Sequence, residues 1–289
     1  MVIVDAHVHV WTDDTAHYPL GPGRKKEDRK PARFTPEDLF EHTKPAGVER
    51  VVLIQMSHYV PKDKGNHDPD AYDNRYMLDM IALYPKVFAG TAVIDPHSKD
   101  VADRMKALAK KRVRAFRIYP ALSTKRIDKW LEPTGFATMF EAGAKNDQAM
   151  ACLIRPDALP ELDRMCKKYP ETPVIVDHLC RLNTDEGAAK DIDAFCALAK
   201  HPRVLVKVGG FQVLGAKKPP YTDLAPLIEK VVKAFGPKRC MWESNYPIEK
   251  DDHPYQGLLD LVKKRLDFLD DDARSWILGK TADSFFFKE

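Results

Sequence analysis

The chain has 289 residues, 44% hydrophobic and 31% charged, with a formal net charge of +3. This is ordinary soluble-globular composition, and so small a charge gives no reason to expect a nucleic-acid or membrane-surface partner. No apolar run reaches the roughly 18 residues of a transmembrane helix. The five cysteines (Cys152, Cys166, Cys180, Cys196, Cys240) lack C-x-x-C spacing and are odd in number, so they read as reduced thiols of a cytoplasmic protein.

The chain opens on Val2–Trp11, V-I-V-D-A-H-V-H-V-W. It enters a strand at once, with no basic-then-apolar leader, so no targeting peptide is expected. Side chains two apart share a face of a strand, so Asp5, His7 and His9 are expected to point one way. Two imidazoles and a carboxylate buried together need a metal or a reacting group to justify them. Further β-branched apolar runs follow at Arg50–Gln55, Val87–Ile94, Val113–Tyr119, Ala149–Ile154, Pro173–Leu179, Arg203–Val208 and Arg239–Asn245. They are near-continuous rather than alternating, as in parallel strands covered on both faces.

Helical patterns separate the strands. Thr35-Pro36-Glu37-Asp38 is a cap followed by a first-position proline and first-turn acid, opening a helix to about Thr43. Others are expected at Asp70–Tyr84, from Ser98 to about Lys110, and at Gly135–Asn146, Asp157–Lys168, Ala188–Lys200, Asp223–Phe235, Tyr255–Leu269 and Asp271–Phe286. Strand then helix, repeated along the whole chain, predicts a (β/α)8 TIM barrel forming a single domain over 1–289. The rival, an open doubly wound sheet, wants a Gly-rich first turn; here Trp11-Thr12-Asp13-Asp14 follows the first strand, with no glycine until Gly21.

Two loops are unusually long, Trp11–Phe34 after strand one and Ser57–Pro69 after strand two. Both rise from strand C-terminal ends, the face where such barrels place their active sites. The first carries His17, Tyr18, Gly21-Pro22-Gly23 and the basic run Arg24-Lys25-Lys26. The second carries His58, Tyr59, His67 and Asp68. They read as lids or substrate walls.

Under the barrel reading the strand ends converge on one mouth. Strand one brings His7 and His9, strand four Arg117 and Tyr119, strand five Arg155, strand six His178, strand seven Lys207, and strand eight Glu243 and Asn245. Histidines with an open position suit zinc. Guanidinium forks match a planar carboxylate, so Arg117 and Arg155 are expected to grip an acidic substrate, with Lys207, His58 and Tyr119 as further substrate contacts.

Several segments resemble the amidohydrolase superfamily, in particular its amidohydrolase-related branch (amidohydrolase 2) of metal-dependent hydrolases, lactonases and decarboxylases. The matching stretches are Val4-Asp5-Ala6-His7-Val8-His9, Val176-Asp177-His178, the run from Phe235 to Pro247, and Ile277-Leu278-Gly279-Lys280-Thr281-Ala282. The resemblance implies a barrel that hydrolyses or decarboxylates a small carboxylated molecule, often with one divalent metal, here on His7, His9 and His178 with zinc foremost. Metal-independent activity stays open, since the branch includes lactonases of that kind.

The chain also departs from the family pattern. Asn245 stands where the family keeps an aspartate ligand or base, and an amide cannot ionise. Arg155 lies near a usual histidine and Arg117 replaces a bridging lysine, which argues against a binuclear centre. Glu243 stands where glycine is common; it either supplies the lost negative charge, orienting a histidine or acting as base, or pairs with Lys207 in the barrel floor. The expected reaction is therefore water attack on a lactone or other ester-type or amide-type carbonyl, with His178, Glu243 and Asn245 as the catalytic set. A non-oxidative decarboxylase on the same site and a non-catalytic binding protein on the same barrel are the alternatives. The partner is a small molecule, and self-association into a homo-oligomer is left open.

Overall fold

The computed structural model describes residues 2–62, 68–122, 126–248 and 250–288. Eight parallel strands follow one another around a single sheet in sequence order. They are β1 (Ile3–Val8), β2 (Val48–Ile54), β3 (Phe88–Ala92), β4 (Val113–Ile118), β5 (Ala149–Cys152), β6 (Val174–Val176), β7 (Val204–Val208) and β8 (Cys240–Trp242). The sheet closes just beyond β8, where Asn245 N–H donates to the His7 carbonyl (3.0 Å) and His9 N–H to the Tyr246 carbonyl (2.9 Å). This is the (β/α)8 barrel expected from the strand–helix alternation.

The outer layer comprises α1 (Pro36–Ala46), α2 (Arg75–Leu83), α3 (Val101–Ala109), α4 (Thr134–Asn146), α5 (Leu159–Lys168), α6 (Ala189–Cys196), α7 (Ala225–Phe235), α8 (Tyr255–Asp260), α9 (Asp271–Ser275) and α10 (Thr281–Phe286). Thr35 caps α1, and Asp38 completes a capping box. α2 starts later than the pattern predicts because the Asn74 side chain is pinned across the Val93 backbone, accepting from its N–H (3.1 Å) and donating to its carbonyl (2.8 Å). The closing helix is also less regular than expected. A wide turn, Trp276–Lys280, joins α9 to α10, where Gly279 lies so close to the Val2 carbonyl that a Cβ would sit 1.9 Å from it.

β6 and β8 are shorter than the apolar runs suggest. His178, Leu179, Cys180 and Arg181 all have positive φ (49–57°), and so does Asn245 (58°). Non-glycine residues in the left-handed region cost roughly 1–3 kcal/mol each and cluster at functional sites. Both strands thus end in turns that aim side chains across the mouth. The barrel interior below holds Val4, Ala6, Val52, Ile54, Ala89, Ala115, Ala149, Ala151, Ile175 and Met241, sealed by Phe285 and Phe286 of α10 with Phe287 beside them. Of the second long loop's residues, His67 lies outside the described residues.

Candidate active site

Asp5, His7 and His9 do not share a face. Asp5 pairs with Val51 of β2 and Val8 with Leu53, so β1 carries one extra residue between them, a bulge that reverses the inward parity. Val4 and Ala6 face the interior below the bulge, and His7 faces it above. Asp5 turns to the helical layer instead, where Tyr255 of α8 donates to its carboxylate (2.8 Å). The same carboxylate accepts the backbone N–H of His7 (3.2 Å) and of Ser244 (2.9 Å). It therefore holds the bulge in shape and ties β1 to the segment carrying Glu243 and Asn245. Burial lifts its pKa to about 6, against the pull of hydrogen bonds from Ser244, Tyr255 and His7.

The imidazoles do converge. The Nε2 atoms of His7 and His9 lie 3.2 Å apart, and the His7 and His178 ring centroids are 4.6 Å apart. His9 Nδ1 is 2.9 Å from the Ile54 carbonyl. A carbonyl only accepts, so Nδ1 carries the proton and Nε2 offers a lone pair. His7 Nδ1 has two neighbours at hydrogen-bond distance, Glu243 Oε2 at 3.0 Å and Lys207 Nζ at 3.1 Å, with Asp177 Oδ1 farther off at 3.8 Å. Donation to Glu243 leaves two Nε2 lone pairs facing each other, an arrangement that a cation between them satisfies. Donation from Lys207 places a proton on His7 Nε2, which then bonds to His9. The pair thus fits a divalent ion in one tautomer and is self-satisfied in the other.

Glu243 is fully enclosed and serves two histidines. Its Oε1 accepts from His178 Nδ1 (2.6 Å) and from the His178 backbone N–H (2.9 Å), while Oε2 faces His7. Burial alone would raise its pKa, but His178 and His7 hold it well below the usual carboxylate range. His7 in turn is lowered to about 4, by burial first and then by the charge of Lys207, and His9 is lowered by burial and by His7. Gly210 makes room for this geometry: its φ is 69°, and a Cβ there would lie 2.8 Å from the His178 Cβ.

Lys207 is enclosed too, but its carboxylate partner is Asp177 (3.0 Å), not Glu243. Asp177 also stands 3.6 Å from Arg117 and 3.8 Å from His7. Burial raises its pKa, yet Lys207, His7 and Arg117 together keep it well below the ordinary value. His7, Asp177 and His178 each offer a donor atom within 4.8 Å of the others, so Asp177 joins the groups able to face a metal. Its signal was present in the sequence, since it shares strand parity with the apolar Ile175.

At the rim, Arg117 is mostly buried, Arg155 exposed and Tyr119 half-buried. Arg181, which sequence reasoning did not single out, lies near Arg117 and Arg155; burial and their charges pull its pKa down, while Asp177 and Glu243 oppose. The enclosed Nε atoms of Arg117 and Arg181 have no hydrogen-bond partner. Asn245 is buried at the seam by its backbone bond to His7. His58 is buried in the second loop, edge-on to Trp11 at 5.5 Å.

The long loops are mutually braced rather than free. Trp11 and Phe34 pair across the base of the first loop (2.8 and 2.9 Å), Gly21 N–H donates to the His58 carbonyl (2.9 Å), and Lys62 N–H to the Pro22 carbonyl (2.9 Å). Charge from Arg24 of the first loop reaches both His58 and Tyr119. No helix among the described residues is long and apolar enough to cross a membrane.

The amidohydrolase family model matches residues 4–288. The chain is 27% identical over 289 residues to an L-fucono-1,5-lactonase of Burkholderia ambifaria, covering 98% of this chain and 94% of that one. It is 25% identical over 244 residues to a 4-sulfomuconolactone hydrolase of Rhizobium radiobacter, covering 84% and 75%. A crystal structure of a zinc-bound amidohydrolase from Burkholderia multivorans superposes over the full length of both chains with a TM-score of 0.79 at 20% identity. A match from the first strand to the last helix, together with the His7–His9–His178 convergence, places this chain in the amidohydrolase family.

Proposed function

We propose that the protein hydrolyses a small lactone bearing a carboxylate or similar acidic group. The observation that carries this is the pairing of a His178–Glu243 dyad (2.6 Å) with a cluster of arginines, Arg117, Arg155 and Arg181, in which the enclosed Arg181 Nε has no hydrogen-bond partner. His178 donates a hydrogen bond from Nδ1–H to the Glu243 carboxylate, which leaves the Nε2 lone pair free to take a proton from the attacking water. Glu243 fixes the ring's orientation and stabilises the imidazolium that forms, as a buried carboxylate does behind a catalytic histidine. It is a positioning residue, enclosed behind the ring. Arg117, Arg155 and Arg181 would hold the acidic group, with Tyr119 alongside. Lys207 is committed to Asp177 and His7 beneath the imidazoles, so its role is to anchor Asp177 and bias the His7 tautomer rather than to touch substrate. Asn245 cannot serve as the base; its backbone contact to His7 makes it part of the seam.

His7 and His9 are the nitrogens that would hold a divalent ion, zinc by the softness of imidazole ligands. Bound there, such an ion supplies positive charge that polarises the lactone carbonyl. One Nε2 cannot both ligate and accept a proton, so His178 is assigned to the proton rather than to the ion. The names of the lactonase relatives support the reaction class, and the five unbridged thiols suit a cytoplasmic setting. The test is a panel of acidic and neutral lactones, followed by proton release, with zinc content measured on the same protein. Acidic lactones should turn over best. Carbon dioxide release without acid release would replace this proposal with the decarboxylase.

A further inference from the structure

The loops above the mouth contain a second cationic feature that the proposed hydrolysis does not use. Arg29, on the first long loop, is only 6% exposed. Its Nη1 donates to the Thr12 carbonyl (2.6 Å), but its Nε is enclosed without a partner. No carboxylate of the described residues lies within ion-pair distance of it. Beside it His58 is 2% exposed, and its Nε2 is likewise enclosed and partnerless. The two are close enough that, after burial, the charge of Arg29 and then that of Arg24 lower the His58 pKa to about 3, with the weaker pull of Asp28 opposing. Both rest on the residues just past His9. Trp11 packs edge-on against His58, and Thr12 takes the Arg29 bond while giving its N–H to Tyr59 (3.3 Å).

A buried guanidinium without a counter-ion is among the costliest groups a fold can carry. Buried polar atoms without partners are rare enough that each calls for a cause. Water would satisfy the two nitrogens but not the charge. A carboxylate or sulfonate satisfies both, because its two or three oxygens accept from Arg29 and from a neutral His58 ring protonated on Nε2. We propose that Arg29 and His58 form a binding point for such an anion, carried by the loops rather than by the strand ends. Its ligand is either a second acidic group of the substrate or a separate small carboxylate.

The experiment is thermal melting of wild type and Arg29→Met in potassium succinate, against potassium chloride at matched ionic strength. A filled site should raise the wild-type Tm by about 5 °C at a hundredfold excess over Kd. Arg29→Met, freed of an uncompensated buried charge, should melt no lower than wild type in chloride and gain less than half of that rise. Trp11 fluorescence should respond to succinate in wild type and not in the variant. A full rise in Arg29→Met overturns the site. Should that variant fail to fold, His58→Phe, which keeps a ring against Trp11, replaces it, and a full rise there overturns the site equally. KM for the acidic lactone separates the two sources. A tenfold increase in Arg29→Met assigns the anion to the substrate, and an unchanged KM with lost succinate protection assigns it to a separate carboxylate. Only the KM arm rests on the lactonase proposal; the melts report binding without turnover, so either can fail alone.

Discussion

Along β4 and β7, and along β6 and β8 and one residue past their ends, the inward residues come in pairs two positions apart: Ala115 then Arg117, Ile175 then Asp177, Leu205 then Lys207, Met241 then Glu243. The first of each pair packs in the apolar interior or, for the half-buried Leu205, against it. The second joins a set of charges in contact with His7 or with Asp177. The floor stabilises the barrel by excluding water, at roughly 25 cal/mol per Å² of apolar surface buried. The mouth excludes water from charges that then have only each other, so every member matters to its neighbours. A substitution in the floor should therefore change stability and leave chemistry alone. A substitution in the mouth should change chemistry, stability or both, depending on whose partner is lost.

The largest effect is expected at Glu243. Glu243→Gln keeps an oxygen for His178 Nδ1 but removes the charge that stabilises the imidazolium. The kcat should fall about 10²- to 10⁴-fold with KM nearly unchanged, measured by steady-state kinetics on the best acidic lactone. Full activity with unchanged zinc content would remove Glu243 from the chemistry and weaken the division between the layers. Asp177→Asn should act mainly on stability. It strands Lys207, which is 0% exposed, and leaving a buried charge unpaired costs about 3–5 kcal/mol. Adding Lys207→Met should recover most of that loss in denaturant titrations; if the double variant is as unstable as the single, the two are not a pair.

These pairs show how much the sequence could carry. The β-branched runs and their helices carried the order of the barrel; Arg117 and Lys207 were assigned to the mouth because they lie on strands four and seven, and Glu243 because it lies on strand eight two positions from Asn245. Parity misjudged β1, because the bulge between Asp5 and Val8 leaves no mark in V-D-A-H-V and moves Asp5 to the opposite side from His7. The left-handed run His178–Arg181 was also hidden, since no glycine announces it. It brings Arg181 toward the arginines on β4 and after β5, although four consecutive residues of a continuing strand could not all approach one mouth. Arg29 and His58 lie on loops, where residue spacing says little about which side chains meet.

Asp5 sharpens the comparison because it belongs to neither layer. Its pKa is about 6 in the folded protein against an ordinary 3.8. The folded state therefore holds the proton more tightly, and this group's contribution is full below about pH 4 and lost as pH rises through about 6. Two units correspond to on the order of 3 kcal/mol. Glu243 and Asp177, whose pKa values are depressed, work the other way: their contribution is present above the ordinary carboxylate range and is lost on acidification. Asp5→Asn should therefore lose stability relative to wild type at pH 4 and lose less, or gain, at pH 7. Parallel stability profiles for the two proteins would mean that Asp5 titrates as it does in the unfolded chain.

The smallest effect is expected from Ile175→Val. Ile175 is 0% exposed and sits one inward step below Asp177 on β6. Removing one methylene from a packed interior costs about 0.5–1.5 kcal/mol, so Tm should fall by a few degrees. The loss is local: a small void among Ala149, Ala151 and Met241 withdraws dispersion contacts but leaves no polar atom without a partner. The charged contacts above are set by backbone turns at His178 and Asn245 and by the Asp5 tie, none of which rests on the Ile175 methyl. The kcat should stay within about twofold of wild type. A drop in kcat larger than the Tm loss accounts for at the assay temperature would show that the floor transmits strain to the dyad, and the two layers would then have to be treated as one packed unit.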